Sequence, residues 1–155
     1  FPCAAYGGRK DIMDYIAPEG SVYQAGTLSG NPVAMAAGIA TLQQLRDTTA
    51  FQDAEKSTTK LVEGLHRCFQ DAKIPCQINS VGTMLSVFFT AQPVYQLSDV
   101  SACNFDRFKS FFHGALNSGV YLPPSQYESW FVSSTHDTDI IDTTLDKIES
   151  VLKRI

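Results

Sequence analysis

The chain has 155 residues, of which 44% are hydrophobic and 18% are charged, and its formal net charge is -4. This length and composition are typical of a soluble globular protein that buries about two-thirds of its unfolded surface. The negative charge argues against nucleic acid and anionic membranes as partners, and no apolar run approaches the roughly 20 residues of a membrane helix.

Metal binding is not predicted. The cysteines form neither a CxxC pair nor a zinc-like spacing, and reduced thiols in an intracellular compartment are expected (Cys3, Cys68, Cys76 and Cys103). His66 and His113 fall in amphipathic stretches without a partner at ligand spacing. For His136, beside helix-capping residues, we favour ordering of a turn over catalysis.

The first predicted helix begins after a turn. Asn31 is a good N-cap, Pro32 suits the first helical position, and the helix is expected to continue to Arg46. Small residues share one face of this helix (Ala34, Ala37, Gly38 and Thr41). Because such a face lets another backbone come close, we expect the helix to be buried against something large, either within one chain or at a tight subunit interface.

Helices and strands alternate in the rest of the chain. We predict an amphipathic helix, two strands, a helix capped by Asn104 and stopped at Gly119, two short strands, and a final helix (51–72, 76–82, 83–89, 104–118, 120–122, 130–133 and 137–155). This order suits an α+β layer with helices on one face of a mostly antiparallel sheet. The stretch before residue 46 looks like the tail of a larger domain and a connecting helix.

The segment YQAGTLSGNP, from Tyr23 to Pro32, holds the most informative residues. Gly26 lets the backbone approach a ligand closely, and Thr27 offers an N–H and a hydroxyl, which are groups that can hold a phosphate. From composition alone, a Gly-rich turn that leads into a capped helix explains the same pattern. Glu128, the other candidate, lies in a polar loop, where a lone Glu is usually only solvated.

The segment from Tyr23 to Pro32 resembles the G-T-x-x-G-N-P element of the class III aminotransferase family, in the form of its glutamate-1-semialdehyde aminomutases. Further matching segments cover nearly the whole chain (5–9, 81–84, 88–90, 105–108, 119–128 and 134–137). The resemblance implies an α/β pyridoxal-phosphate-dependent transferase of fold type I. Residues 1–46 would be the end of the large cofactor-binding domain and a connecting helix, and residues 47–155 a C-terminal α+β small domain.

The resemblance also implies the site. The cofactor is expected to be pyridoxal 5'-phosphate, alternating with pyridoxamine 5'-phosphate. Gly26 and Thr27 would bind the cofactor phosphate of the neighbouring subunit, so that a homodimer shares its active sites. Glu128 would be a catalytic residue that relays a proton or orients the amine. Trp130 departs from the Gly expected there, which puts the packing of this loop in doubt.

By the same resemblance, the whole protein would be an isomerase that converts glutamate 1-semialdehyde to 5-aminolevulinate for tetrapyrrole (porphyrin and chlorophyll) synthesis. The alternatives are a class III aminotransferase with an external amino donor and a non-catalytic interaction module. The expected compartment is the cytoplasm, or the plastid in a plant or alga.

A fragment of a longer protein is expected, because the chain opens without an initiator Met or a signal-peptide pattern. In the family, a K-x-x-G-G-G run precedes the matched region, and its lysine binds the cofactor covalently. None of the lysines here lies in that context. We therefore expect the chain alone to be inactive.

Overall fold

The computed structural model describes residues 4–155, so the interpretations that involve Phe1, Pro2 and Cys3 lie outside the described residues. The chain divides into two compact units, 1–48 and 49–155. The domain boundary predicted from the sequence lies between residues 46 and 47.

In the first unit, residues 4–48 contain two helices, α1 (Lys10–Met13) and α2 (Pro32–Asp47). The N-cap prediction for α2 is confirmed, because the Asn31 side chain accepts hydrogen bonds from the N–H groups of Val33 at 3.1 Å and Ala34 at 3.2 Å. Pro32 occupies the first helical position, where it needs no hydrogen-bond acceptor. The start of α2 is therefore fixed by its own local sequence.

Burial of the small-residue face of α2 is confirmed only at Ala34, which is 7% exposed. Farther along this face, Gly38 is half-buried and Thr41 is exposed. Large apolar side chains of the same helix are also exposed, including Ile39 at 57% and Leu42 at 67%. Within this chain, α2 thus presents apolar surface that packing does not cover.

The second unit is an α+β layer with a three-stranded antiparallel sheet of order β1-β2-β3. Its elements in chain order are α3 (Ala50–Asp71), β1 (Gln77–Val81), β2 (Met84–Phe88), α4 (Leu97–Ser101), α5 (Phe105–Asn117), β3 (Trp130–Phe131) and α6 (Thr138–Leu152). Val81 pairs with Met84 across a tight hairpin, where Gly82 adopts a φ of +55°. A left-handed residue fits such a turn because it follows the twist of the two strands.

The core of this unit lies where α3, α5 and α6 pack together and against the sheet. Phe111 is fully buried, and its ring stacks on Trp130 with a centroid distance of 6.5 Å and an interplanar angle of 8°. The rings of Phe69 and Phe89 also lie within 6 Å of Phe111. Trp130, the residue that departs from the family pattern, is therefore a core residue that fixes the end of the preceding loop.

The prediction of a strand at residues 120–122 is wrong. The N–H of Val120 donates to the Ala115 carbonyl at 2.9 Å and so closes the end of α5, where Gly119 adopts a φ of +79° as the predicted stop. The next residues, Pro123 and Pro124, have no N–H to donate to a ladder. Apolar, β-branched composition alone therefore does not make this segment a strand.

Among residues 4–155, no helix is both long and apolar enough to cross a membrane. In the same range, no cluster of His, Cys, Asp and Glu side chains could hold a metal ion.

The Cys76 thiol gives a pH-dependent contribution to stability. Burial raises its pKa to about 12, whereas an unfolded chain has a cysteine pKa of about 8.5. Between these two pKa values the thiol is protonated in the folded state and ionised in the unfolded state. The free energy of unfolding therefore falls as pH rises, by up to about 1.4 kcal/mol per pH unit. From pH 8 to pH 10, urea unfolding is expected to show a stability loss about 1.9 kcal/mol smaller for Cys76→Ala than for the parent protein. Equal losses would show that the thiol is not desolvated.

Candidate functional site

Two consecutive turns form the segment between Gly26 and Asn31. The Ser29 N–H donates to the Gly26 carbonyl at 3.0 Å, and the Asn31 N–H donates to the Leu28 carbonyl at 3.1 Å. A Cβ atom on Gly26 would lie 2.5 Å from the Ser29 hydroxyl oxygen. The Ser29 side chain therefore lies close to the backbone of Gly26, where a larger residue would fit only if that side chain moved. Residues 21–30 are all exposed. The turn is thus an accessible and locally ordered piece of backbone.

The free donors of this turn fit a phosphate group. Among the described residues, neither the N–H nor the hydroxyl of Thr27 makes a hydrogen bond, and the Leu28 N–H is also unpaired. The first N–H groups of α2 are not available, because Asn31 already accepts from them. No lysine or arginine occurs between residues 20 and 31. The turn that begins at Gly26 can therefore offer neutral donors, those of Thr27 among them, and the predicted phosphate contact remains a prediction.

Glu128, in the second unit, ends a turn of the loop 123–129. Its N–H donates to the Ser125 carbonyl at 3.1 Å, and the Tyr127 N–H donates to the Ser125 hydroxyl at 3.2 Å. The Glu128 side chain is exposed, and its carboxylate makes no hydrogen bond or ion pair within residues 4–155. A carboxylate without an internal partner is free to bind a ligand cation or to exchange a proton.

The loop is anchored to the second unit at several points. The Gln126 side chain is 2% exposed, and its carbonyl oxygen accepts from the Phe89 N–H at 2.8 Å. The Tyr127 ring packs on Phe105 at a centroid distance of 5.4 Å. After Glu128, the hydroxyls of Ser129 and Ser86 lie 3.2 Å apart. Glu128 is therefore held between fixed neighbours although the loop has no regular secondary structure.

A cavity of about 410 Å³ in the second unit includes Glu128 in its wall. The wall is largely apolar, with Leu122, Trp130 and Ile141 among its residues, and His136 also contributes. The His136 Nδ1 accepts from the Ser133 N–H at 2.9 Å, which confirms that this imidazole orders the turn before α6. Because Nδ1 is an acceptor there, the neutral ring carries its proton on Nε2.

The predicted site residues fall in both units: Gly26 and Thr27 in the first, and Glu128 in the second. The sequence did not single out Gln126 for a role of its own. A polar residue in a polar loop gives no local sign of burial, and its partner Phe89 lies 37 positions away in the chain.

Comparison with known proteins gives a family assignment that agrees with the observed fold. The sequence profile of the family "Aminotransferase class-III" matches residues 1–152, and the chain belongs to that family. It is 49% identical over 154 residues to the glutamate-1-semialdehyde 2,1-aminomutase of Desulfitobacterium hafniense (strain Y51), covering 99% of this chain and 36% of that protein. The aminomutase of Desulfatibacillum aliphaticivorans is 48% identical with the same coverage. The chain therefore spans about a third of the length of the curated relatives it matches.

Solved structures show the same fold at lower identity. An omega-transaminase from Sphaerobacter thermophilus superposes with a TM-score of 0.76 at 18% identity, over 95% of this chain and 34% of that one. A structure described as a transaminase with PLP bound gives a TM-score of 0.73 at 19% identity, over 94% and 33% of the two chains. These neighbours have the fold of pyridoxal-phosphate-dependent transferases of fold type I, which confirms the predicted fold class.

Proposed function

We propose that the complete protein is a glutamate-1-semialdehyde 2,1-aminomutase, which converts glutamate 1-semialdehyde to 5-aminolevulinate for tetrapyrrole synthesis. The observation that carries this proposal is the 49% identity to a protein of that name over 99% of the chain. The free donors around Thr27 and the unpaired Glu128 carboxylate support it, because both match what the reaction requires of a protein.

Pyridoxal phosphate, with its pyridoxamine form, is the proposed cofactor. When bound, it supplies the electron sink for moving an amino group. In this proposal, Gly26 and Thr27 hold the cofactor phosphate through backbone and hydroxyl donors. Because these donors are uncharged, the remaining negative charge of the phosphate would be balanced by groups beyond this turn.

Glu128 is the proposed catalytic residue of the loop. Its carboxylate can accept a hydrogen bond from a substrate ammonium group or receive a proton at one of its oxygens. The carboxylate borders a cavity with a largely apolar wall, and a ligand bound there would cover part of the carboxylate from water and so strengthen the interaction. The fixed loop limits the motion of the carboxylate, which favours correct positioning over nonspecific attraction.

A homodimer with shared active sites is part of the proposal. The exposed apolar side chains of α2, among them Ile39 and Leu42, support it, because a contiguous apolar helix face favours association. In a shared site, the turn around Thr27 of one subunit would serve the cofactor of the other.

We also expect the 155-residue chain to be inactive by itself. It spans about a third of its aminomutase relatives, and none of its lysines precedes a G-G-G run. Four of these lysines are paired with carboxylates in the structure (Lys10, Lys56, Lys60 and Lys153).

The proposal is tested by incubating the complete protein, loaded with the cofactor, with glutamate 1-semialdehyde as the only amino compound. Catalytic formation of 5-aminolevulinate over many turnovers is expected. A requirement for a second amino compound would identify a class III aminotransferase with an external donor. No turnover with or without such donors would favour a non-catalytic protein.

A further inference from the structure

Gln126 occupies an unusual position for an amide side chain. It is 2% exposed in a loop whose neighbours Tyr127 and Glu128 are exposed. Its carbonyl oxygen accepts from the Phe89 N–H, but its Nε2 has no hydrogen-bond partner within residues 4–155. A buried polar group without a partner costs about 1–3 kcal/mol. The burial of this side chain therefore does not simply maximise stability.

The one hydrogen bond that Gln126 makes connects the loop to the sheet. Phe89 directly follows β2, and its N–H has no strand beside it, so the Gln126 carbonyl takes the place of a ladder partner. Phe89 is itself buried, and its ring lies 5.3 Å from that of Phe69. The loop is thus joined at its middle residue to a rigid part of the core.

This connection sets where Glu128 lies. Only Tyr127 separates the buried amide from the carboxylate, and both residues belong to the turn that the hydrogen bond from the Glu128 N–H to the Ser125 carbonyl closes. Without the Gln126 anchor, the loop would be held only toward its end, by the exposed Tyr127 on Phe105, by the hydroxyl pair at Ser129 and by the buried Trp130. Ligand-binding groups keep their geometry only when the residues around them are fixed.

We propose that Gln126 is a positioning residue, which acts through Glu128 by pinning the middle of the loop to the end of β2. This inference rests on the proposed function, in which Glu128 contacts the substrate or the cofactor. Replacing Gln126 by Met keeps the volume but removes the acceptor for the Phe89 N–H. The middle of the loop then loses its connection to the end of β2, and the Glu128 carboxylate is held less firmly.

The test is a double-mutant cycle in the complete, cofactor-loaded protein, with kcat measured for conversion of glutamate 1-semialdehyde. Q126M is expected to lower kcat about tenfold in the parent protein but less than about twofold in the E128Q background. T58V is the matched control. Thr58 is also 2% exposed with one hydrogen bond, at 2.7 Å, but it lies in α3 and outside the loop. It should leave kcat within about twofold of the parent value.

Each outcome has a distinct meaning. Equal losses from Q126M in both backgrounds would overturn the positioning role and leave Gln126 as a residue of general stability. An E128Q protein as active as the parent would instead overturn the proposed role of Glu128 itself.

If Q126M does not fold, Q126E provides the same test. Burial raises the pKa of the introduced carboxyl, so its neutral form keeps the acceptor at low pH and its ionised form is driven out of the core at higher pH. A fall of kcat with rising pH is expected relative to the parent, and this difference should vanish in the E128Q background. Its persistence there would contradict the proposal.

Discussion

Replacing Glu128 by Gln in the complete protein is expected to lower kcat about 100-fold, a size typical of losing one general acid–base group. The substitution keeps the shape of the side chain and removes its charge and its capacity to take a proton. The loop should be unaffected, because its contacts are made by Ser125, Gln126 and Tyr127 and by residues after Glu128. Steady-state kinetics with glutamate 1-semialdehyde would measure the effect.

The matched control is Glu63→Gln, which removes the same charge from an exposed position of α3. Glu63 is not among the residues of the cavity that includes Glu128, and kcat should remain within about twofold of the parent value. The expected loss should also be seen mainly in kcat, with a change in KM of less than about threefold, if the carboxylate acts on the reacting state. A kcat for E128Q equal to that of the control would contradict a catalytic role for Glu128.

Replacing Phe111 by Ala is expected to destabilise the second unit by about 3–5 kcal/mol, because it leaves a cavity in a core that cannot fully collapse. Phe111 is 0% exposed and lies between Trp130 and the rings of Phe69 and Phe89. Loss of the Phe111 ring would therefore remove packing contacts of Trp130, at the end of the loop, as well as contacts of the helices. Urea unfolding followed by circular dichroism would give the change in the free energy of unfolding.

Phe131→Ala serves as the control, since Phe131 is the next residue after Trp130 but is 69% exposed. A change of less than about 1 kcal/mol is expected for this exposed ring. If the two variants unfolded at the same urea concentration, Phe111 would not be at the centre of the core.

Features that depend on neighbouring residues could be predicted from the sequence. The Asn31 cap and the left-handed Gly119 stop are examples, because each is decided within one helical turn. The short helix α4 was not predicted. It spans five residues and depends on a capping box between Gln96 and Asp99, which is a weak signal in a polar segment.

Features that depend on residues far apart in the chain could not be predicted from the sequence. The strand predicted at 120–122 has no partner, whereas the two-residue strand β3 exists because Trp130 pairs with Leu85. In the same way, Glu128 could be found through the motif around it, but the anchoring of Gln126 to Phe89 depends on the folded core. Glu128 was thus predictable as an exposed candidate residue, whereas Gln126, the residue proposed to position it, was not.

We expect the complete protein to move amino groups only within and between molecules of its own substrate. The most direct measurement uses ¹⁵N-labelled glutamate 1-semialdehyde with a large excess of unlabelled amino acids, and follows the product by mass spectrometry over many turnovers. Nearly complete retention of ¹⁵N in 5-aminolevulinate is expected, because no external donor enters the cycle. Progressive replacement of the label by ¹⁴N would show that the protein is an aminotransferase with an external donor.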